Sequence, residues 1–296
     1  MADREVRPWT ILGAPLDSSG KGRGEENAPR ALRDAGIVDR LAADDAGDIK
    51  TRIRSNERDP RTGLIGSEDV HAASAELRET VGKAIREGQR PLAIGGDCTL
   101  LIGVTAALAD RWERPGLWFV DGHLDFYDGT SSPTGETADM DLAIVTGAAP
   151  PVLVDARRPS IAPRDVVVLG HRSRSDSDSP EELEMVDPEV ELIDAPTVIE
   201  RGPGRVGEEA EARLGQADGA WLHLDLDVLS EDSLAAVTYR QPGGLSWEQL
   251  AMLVKPLAQS PLLAGISVAD LNADLDPDGA AAQRVVALLA ELTKED

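Results

Sequence analysis

Short apolar runs recur along the chain at Trp9–Leu12, Pro91–Ile94, Leu117–Val120, Val166–Leu169, Val190–Ile193, Trp221–Val228 and Leu262–Val268. Each is bounded by turn-forming or charged residues, a pattern that predicts β-strands. Between most of them lie segments whose apolar residues recur near helical spacing: Ala28–Ala43, Val70–Glu87, Leu100–Arg111, Gly207–Leu214, Ser246–Ala258 and Gly279–Leu292. Strands alternating with helices predict parallel βαβ units and an α/β fold. The charged connection Asp44–Gly66 and the polar stretch Arg172–Pro180 read as surface loops. With no internal repeat and no long linker, the 296 residues read as one domain, 1–296.

The run Trp221-Leu-His-Leu-Asp-Leu-Asp-Val-Leu-Ser230 fits this scheme poorly in one respect. In a strand, alternate side chains share a face. Leu222, Leu224, Leu226 and Val228 then lie on one side, with His223, Asp225 and Asp227 on the other. Unpaired carboxylates on a core strand cost more than nearby packing returns, so a positive partner is required. In parallel α/β sheets, ligands bind beyond the carboxyl ends of the strands. Three such ends carry potential metal ligands: Gly95-Gly-Asp-Cys98, Asp121-Gly-His-Leu-Asp125 and Asp225-Leu-Asp227. Carboxylate oxygens with some imidazole nitrogen suit Mn²⁺ or a similar divalent ion, and the set is large enough for two ions sharing carboxylates. Each piece by itself is also explained by a helix cap, a surface turn or a satisfied histidine; the order and placement together are what point to metal.

The formal net charge of -24 argues against nucleic acid or an anionic membrane as partner, since both reward clustered Lys and Arg. It permits a cationic ligand, although a solvated acidic surface explains most of it. No segment has the apolar length of a membrane span, and the charged start lacks the apolar core of a signal peptide. The single cysteine, Cys98, permits no intrachain disulfide, which fits a reducing cytoplasm.

The motif set resembles the ureohydrolase family, which includes arginase, agmatinase and formimidoylglutamase. The resemblance extends to Gly13-Ala-Pro15, Arg23-Gly24 and Ala28-Pro-Arg30 near the start, to Gly243-Gly-Leu-Ser246, and to Val268-Ala-Asp-Leu-Asn272, so it covers nearly the whole chain. It implies a three-layer α/β/α fold with a mostly parallel central sheet, two Mn²⁺ ions at the C-terminal edge of that sheet, and a homo-oligomer, trimer or hexamer. By resemblance, Asp121 and Asp225 bridge both ions, His123 and Asp227 bind one, and Asp125 binds the other and orients the attacking water. Asp270 matches the acidic residue that pairs with the substrate guanidinium. Water activated by the metals attacks the guanidinium carbon, and an amine and urea are released.

Four positions depart from the family pattern. The histidine expected after Gly-Gly-Asp, a ligand to the first metal, is Cys98. Either its thiolate, a softer donor than Mn²⁺ prefers, ligates that ion, or Cys98 is a small buried residue that binds nothing; specialised amidinohydrolases of biosynthetic pathways also carry Cys here. In Thr134–Asp141 the arginase and agmatinase branches have a proton-shuttling histidine, yet no histidine lies between His123 and His171. Glu136, Asp139 or Asp141 could act as general acid if burial raised its pKa, could line the substrate site, or could simply cap a loop; an N-hydroxylated guanidine would need less proton assistance. Asp270 stands where the family usually has Glu, a shorter arm that asks for a larger head group. Tyr127 replaces the Asn that holds the substrate α-carboxylate in arginases, so it joins the candidate substrate-binding residues and disfavours plain arginine. The expectation is a binuclear hydrolase acting on a C–N bond of a guanidino or amidino compound, agmatinase-like or N-hydroxyarginine-like, and releasing urea or a substituted urea. The competing expectation is a degenerate member that binds a ligand or partner without turnover. A one-zinc deacylase of the same architecture would need an adjacent His pair, which the chain lacks.

Overall fold

The computed structural model describes residues 8–172 and 180–294. Eight strands, β1 (Trp9–Ala14), β2 (Asp44–Asp48), β3 (Arg90–Gly95), β4 (Pro115–Val120), β5 (Val166–Leu169), β6 (Glu191–Ile193), β7 (Gly219–Asp225) and β8 (Leu263–Ala269), form one sheet. Their order is β2-β1-β3-β8-β7-β4-β5-β6, and every neighbouring pair is parallel. The helices are α1 (Ala28–Asp34), α2 (Ile37–Leu41), α3 (Ser67–Arg86), α4 (Leu100–Arg111), α5 (Asp141–Thr146), α6 (Pro180–Met185), α7 (Ala195–Arg201), α8 (Pro203–Arg213), α9 (Trp247–Ala258) and α10 (Ala280–Leu292).

Both faces of the sheet are covered, which is why its central strands read as continuous apolar runs. Along β4, Leu117 and Phe119 pack with α3, α4 and α5, while Trp118 and Val120 pack with α1, α8, α9 and α10. The result is a three-layer α/β/α arrangement. Helix α4, buried from Leu100 to Ala109, is apolar all round because it sits between the sheet and α3. Helix α9 begins on a capping box, with Ser246 and Gln249 satisfying each other's backbone N–H.

The sheet order creates the site. β3 and β4 follow each other in the chain but stand apart in the sheet, with β8 and β7 between them. Four adjacent strands therefore bring the segments after residues 95, 120, 225 and 269 to one edge, beside a reversal of strand order where α/β proteins open a crevice. Gly96 ties three strand tips together there. Its N–H donates to Ala14 O at 2.8 Å and its carbonyl accepts from Asp270 N at 2.7 Å; a Cβ on it would lie 1.8 Å from the Leu16 carbonyl oxygen.

Three sequence expectations change. The charged connection after residue 44 opens with β2, an exposed strand paired to the edge of β1; its aspartates, held by Arg33 at 2.9 Å to Asp45 and 2.6 Å to Asp48, hide any alternation and suit an edge. The helix expected over Ala28–Ala43 breaks at Gly36, whose φ of 85° starts α2. Strand β7 ends at Asp225, and Leu226–Val228 form a 3-10 turn, so Asp227 reaches its place by a turn and not by strand alternation. The polar stretch Arg172–Pro180 lies mostly outside the described residues.

Replacing Gly96 by Ala is expected to destabilise the protein by about 1–3 kcal/mol, since the Leu16 backbone must move to admit the methyl group. Urea unfolding checks this: an unchanged midpoint would mean that the strand tips yield to the methyl group without cost.

Candidate metal centre

The four strand ends place Cys98, Asp121, His123, Asp225, Asp227 and Asp270 together, while Asp125 stands in none of the close ligand groups. Cys98 sits in the turn between β3 and α4. Its Sγ lies 2.9 Å from Asp225 Oδ2, 3.2 Å from Asp270 Oδ2 and 3.1 Å from His223 Nε2. After β4, Asp121 Oδ1 accepts from His123 N at 2.7 Å, turning His123 Nδ1 toward Asp227 Oδ2 at 2.8 Å. Asp225 Oδ1 accepts from Asp227 N at 2.6 Å, which fixes the 3-10 turn that re-aims Asp227. Three sets of ligand atoms lie within 4.8 Å of one another: Cys98, Asp121 and His223; Cys98, Asp225 and Asp270; and Asp121, His123 and Asp227.

The backbone holds two of these acids in conformations that L-residues avoid. Asp125 has φ 47° and Asp270 φ 64°, each costing roughly 1–3 kcal/mol. Asp270 is pinned through its N–H to Gly96. Asp125 is pinned from both sides, its carbonyl accepting from Ala143 N at 3.3 Å and the following N–H, of Phe126, donating to Glu182 Oε1 at 2.8 Å.

Charge is the dominant feature. Asp121, Asp125, Asp141, Asp225 and Asp227 are all buried. Burial, followed by repulsion from one another, pushes Asp121, Asp125, Asp141 and Asp225 above the usual carboxylate range, and burial with Asp225 does the same to Asp270. Burial also opposes ionisation of Asp227, yet His123 and Arg172 hold that carboxyl below its usual range. His123 is raised well above an ordinary imidazole by Asp227 and Asp121 in spite of its own burial. Burial and the carboxylates of Asp225 and Asp270 push the Cys98 thiol up. Arg172, buried behind the site, donates to Asp227 O at 2.8 Å and to Gln241 Oε1 at 3.0 Å; Gln241 Nε2 in turn lies 3.0 Å from His123 Nε2.

These residues fit divalent cations. Asp121 Oδ2 is buried without a hydrogen-bond partner. Such orphaned acceptors are expensive unless a cation takes them. The donor set, carboxylate-rich with imidazole, is one that Mn²⁺ and its neighbours accept.

The remaining sequence candidates sit around this centre. Asp141, at the start of α5, interacts most strongly with Asp121 and Asp225. Asp139 accepts from Ser132 Oγ at 2.9 Å and Thr134 Oγ1 at 2.5 Å, and burial pushes it to about 6. Glu136 forms an ion pair with Arg23 at 2.6 Å and accepts from Tyr239 OH at 3.3 Å. Tyr127 is half-buried, packed beside the α3–α5 layer. The structure also brings His223, which the sequence marks only as a face-mate of Asp225 and Asp227, beside Cys98 and Asp121.

Comparison with known proteins finds relatives along nearly the whole chain. The family model described as the Arginase family matches residues 7–294. The arginase of Bacillus caldovelox is 31% identical over 301 residues, spanning 98% of this chain and 99% of that protein. The arginase of Bacillus subtilis is 28% identical over 290 residues, 96% of each. A solved structure of the Bacillus caldovelox arginase superposes with a TM-score of 0.90 at 29% identity, covering 98% of this chain and 99% of that one.

The raised acids set a pH dependence. Stripped of metal, the folded protein keeps protons on them that the unfolded chain has released, so stability falls as pH rises above the ordinary carboxylate range; Asp139 contributes up to about pH 6. His123, also raised, loses its contribution in the same direction, while the lowered Asp227 adds stability that is lost only in acid. Chelated protein should therefore melt at a lower temperature at about pH 8 than at about pH 5, with Mn²⁺ removing most of the difference. A flat profile after chelation would contradict this account of the buried charge.

Proposed function

This chain belongs to the arginase family, hydrolases of guanidino compounds, and we propose that it is a binuclear, Mn²⁺-dependent amidinohydrolase with an N-hydroxylated guanidino compound as its preferred substrate. The observation that carries the reading is the convergence of buried, under-partnered carboxylates with His123 on one sheet edge. Asp121 and Asp225 would be shared between two ions, with His123 and Asp227 on one and Asp125 and Cys98 on the other. When bound, the ions lower the pKa of water and supply a nucleophile near neutral pH. Asp125, locked at its left-handed φ, orients that nucleophile. Asp270, half-exposed at the tip of β8, pairs with the guanidinium carbon's nitrogens and holds the carbon in line.

The substrate preference rests on proton supply. The chain's histidines are His71, His123, His171 and His223. His71 lies on α3 with Nδ1 2.8 Å from Val152 O, and the Thr134–Asp141 segment offers only acids. Of these, Asp141 is the candidate proton donor, because its carboxyl oxygens are buried without a hydrogen-bond partner, whereas Glu136 is engaged by Arg23 and Asp139 by hydroxyls. An N-hydroxyguanidine is less basic than arginine's guanidinium and leans less on such a donor. The shorter arm of Asp270 leaves room for the added hydroxyl, and Tyr127, Glu136 and Asp139 are the candidate residues for contacting the rest of the substrate. Agmatine-like compounds are the next class supported. The reading also takes the chain as one arginase-like unit, working in the cytoplasm as a homo-oligomer, trimer or hexamer. Among the described residues no helix is long and apolar enough to cross a membrane.

A screen for urea and hydroxyurea release over N-hydroxyarginine, arginine, agmatine and guanidino acids, with Mn²⁺ added, tests the assignment. N-Hydroxyarginine should turn over fastest; two bound ions with no turnover of any compound would favour a binding protein instead. Asp225→Asn should abolish turnover and lower metal content, as seen by elemental analysis, because a charged shared ligand is lost. Asp270→Asn should raise KM while leaving metal content unchanged. A charge-assisted hydrogen bond is worth about 1.5–3 kcal/mol, roughly a ten- to hundredfold effect. Metal loss in that variant would move Asp270 among the ligands.

A further inference from the structure

We propose that His223 is a nitrogen ligand of the first metal, replacing from β7 the imidazole that Cys98 removes from the β3–α4 turn. The inference rests on the binuclear reading above and concerns only which residues complete one of its two sites.

His223 is fully buried in the middle of β7, on the face that packs toward α3, α4 and α5. Phe119 stacks on its ring with centroids 5.2 Å apart and planes at 27°, so the imidazole has a fixed plane. One end of the ring meets a polar anchor: Nδ1 is 2.7 Å from Ser267 Oγ on the adjacent β8. The same Oγ accepts from Trp221 Nε1 at 2.9 Å. Trp221 can only donate, which turns a lone pair of Ser267 to the indole. The hydroxyl still has a second lone pair, able to accept from Nδ1–H. This is the support that ligating imidazoles typically have: one ring nitrogen donates to an outer partner and the other keeps its lone pair for the ion.

The other end of the ring meets the ligand cluster. Nε2 lies 3.1 Å from Cys98 Sγ, and these two atoms with an Asp121 carboxylate oxygen are within 4.8 Å of one another. Ligands at about 2.1 Å for nitrogen and about 2.3 Å for sulfur, at right angles on one ion, are themselves separated by about 3.1 Å. Cys98 Sγ is also 2.9 Å from Asp225 Oδ2, so nitrogen, sulfur and a shared carboxylate surround one small volume. In the family pattern the imidazole of this site follows Gly-Gly-Asp; here that residue is the cysteine and the imidazole arrives two residues before Asp225. The first site therefore has nitrogen and sulfur donors together, while the second, Asp121, His123 and Asp227, has oxygen and nitrogen only. The first should bind the softer borderline ions, Co²⁺ or Zn²⁺, more tightly than the second does.

A histidine with a purely packing role would make the same contacts with Phe119 and Ser267, and metal binding separates the two cases. Wild type, His223→Asn and Ser267→Ala are loaded with Mn²⁺ or Co²⁺, dialysed identically, and assayed for metal per chain, dissociation constants and melting temperature. His223→Asn should keep about one ion of two, and Ser267→Ala should weaken one ion by about ten- to hundredfold while sparing the other. A Co²⁺-loaded wild type should show thiolate and imidazole ligation spectroscopically, with the imidazole contribution reduced in His223→Asn. Two ions retained at wild-type affinity in His223→Asn would overturn the proposal. If that variant fails to fold, Ser267→Ala decides: unchanged affinity for both ions would assign His223 to packing alone. A wild type that binds no ion at all would instead overturn the binuclear reading on which the inference rests.

Discussion

The structure turns on mutual repulsion among buried carboxylates. Asp121, Asp125, Asp141, Asp225 and Asp227 crowd one edge of the sheet beside the partly exposed Asp270, and the protein's own cations there, Arg172 and His123, act mainly on Asp227. Ionised acids in so small a volume would drive the strand ends apart. What opposes them is backbone: Gly96 bridging the tips of β1, β3 and β8, the 3-10 turn that Asp225 caps, and the left-handed Asp125 and Asp270. The rigid edge keeps the acids close, and the closeness creates the demand for cations. Cation binding at this edge would therefore be linked to fold stability, as in other sites whose ligands must be deprotonated.

The two halves of the centre differ in surroundings. Around His123 the second half opens outward, with Gln241, Arg172 and Tyr239 as neighbours, and the ring is partly exposed at 21%. Around His223 the first half is enclosed by Phe119, Trp221 and Cys98, all buried. Burial alone lowers the His223 imidazole to about 3, so it stays neutral at physiological pH.

The strand–helix alternation, and with it a parallel sheet covered on both faces, was legible in the hydrophobic pattern, because central strands and their crossover helices carry continuous or periodic apolar runs. β2 was not, because an edge strand stabilised by Arg33 with Asp45 and Asp48 needs no apolar face. The break at Gly36 was missed because apolar residues keep helical spacing on both sides of it.

The sequence by itself determined the chemistry available at the site. Aspartates and a histidine just after apolar runs must lie at strand ends, and the carboxyl ends of parallel strands share one edge. It could not determine which of those ends adjoin, because strand order depends on how the helices pack across the sheet. Only the tertiary structure placed β8 and β7 between β3 and β4, and so set Asp270 beside Cys98. It decided likewise that Asp227 leaves the strand alternation, and that His223 faces the thiol of Cys98, 125 residues earlier in the chain. That contact depends on the register of β7 against β8 and on the depth of the β3–α4 turn, both fixed by long-range packing and neither written in local spacing.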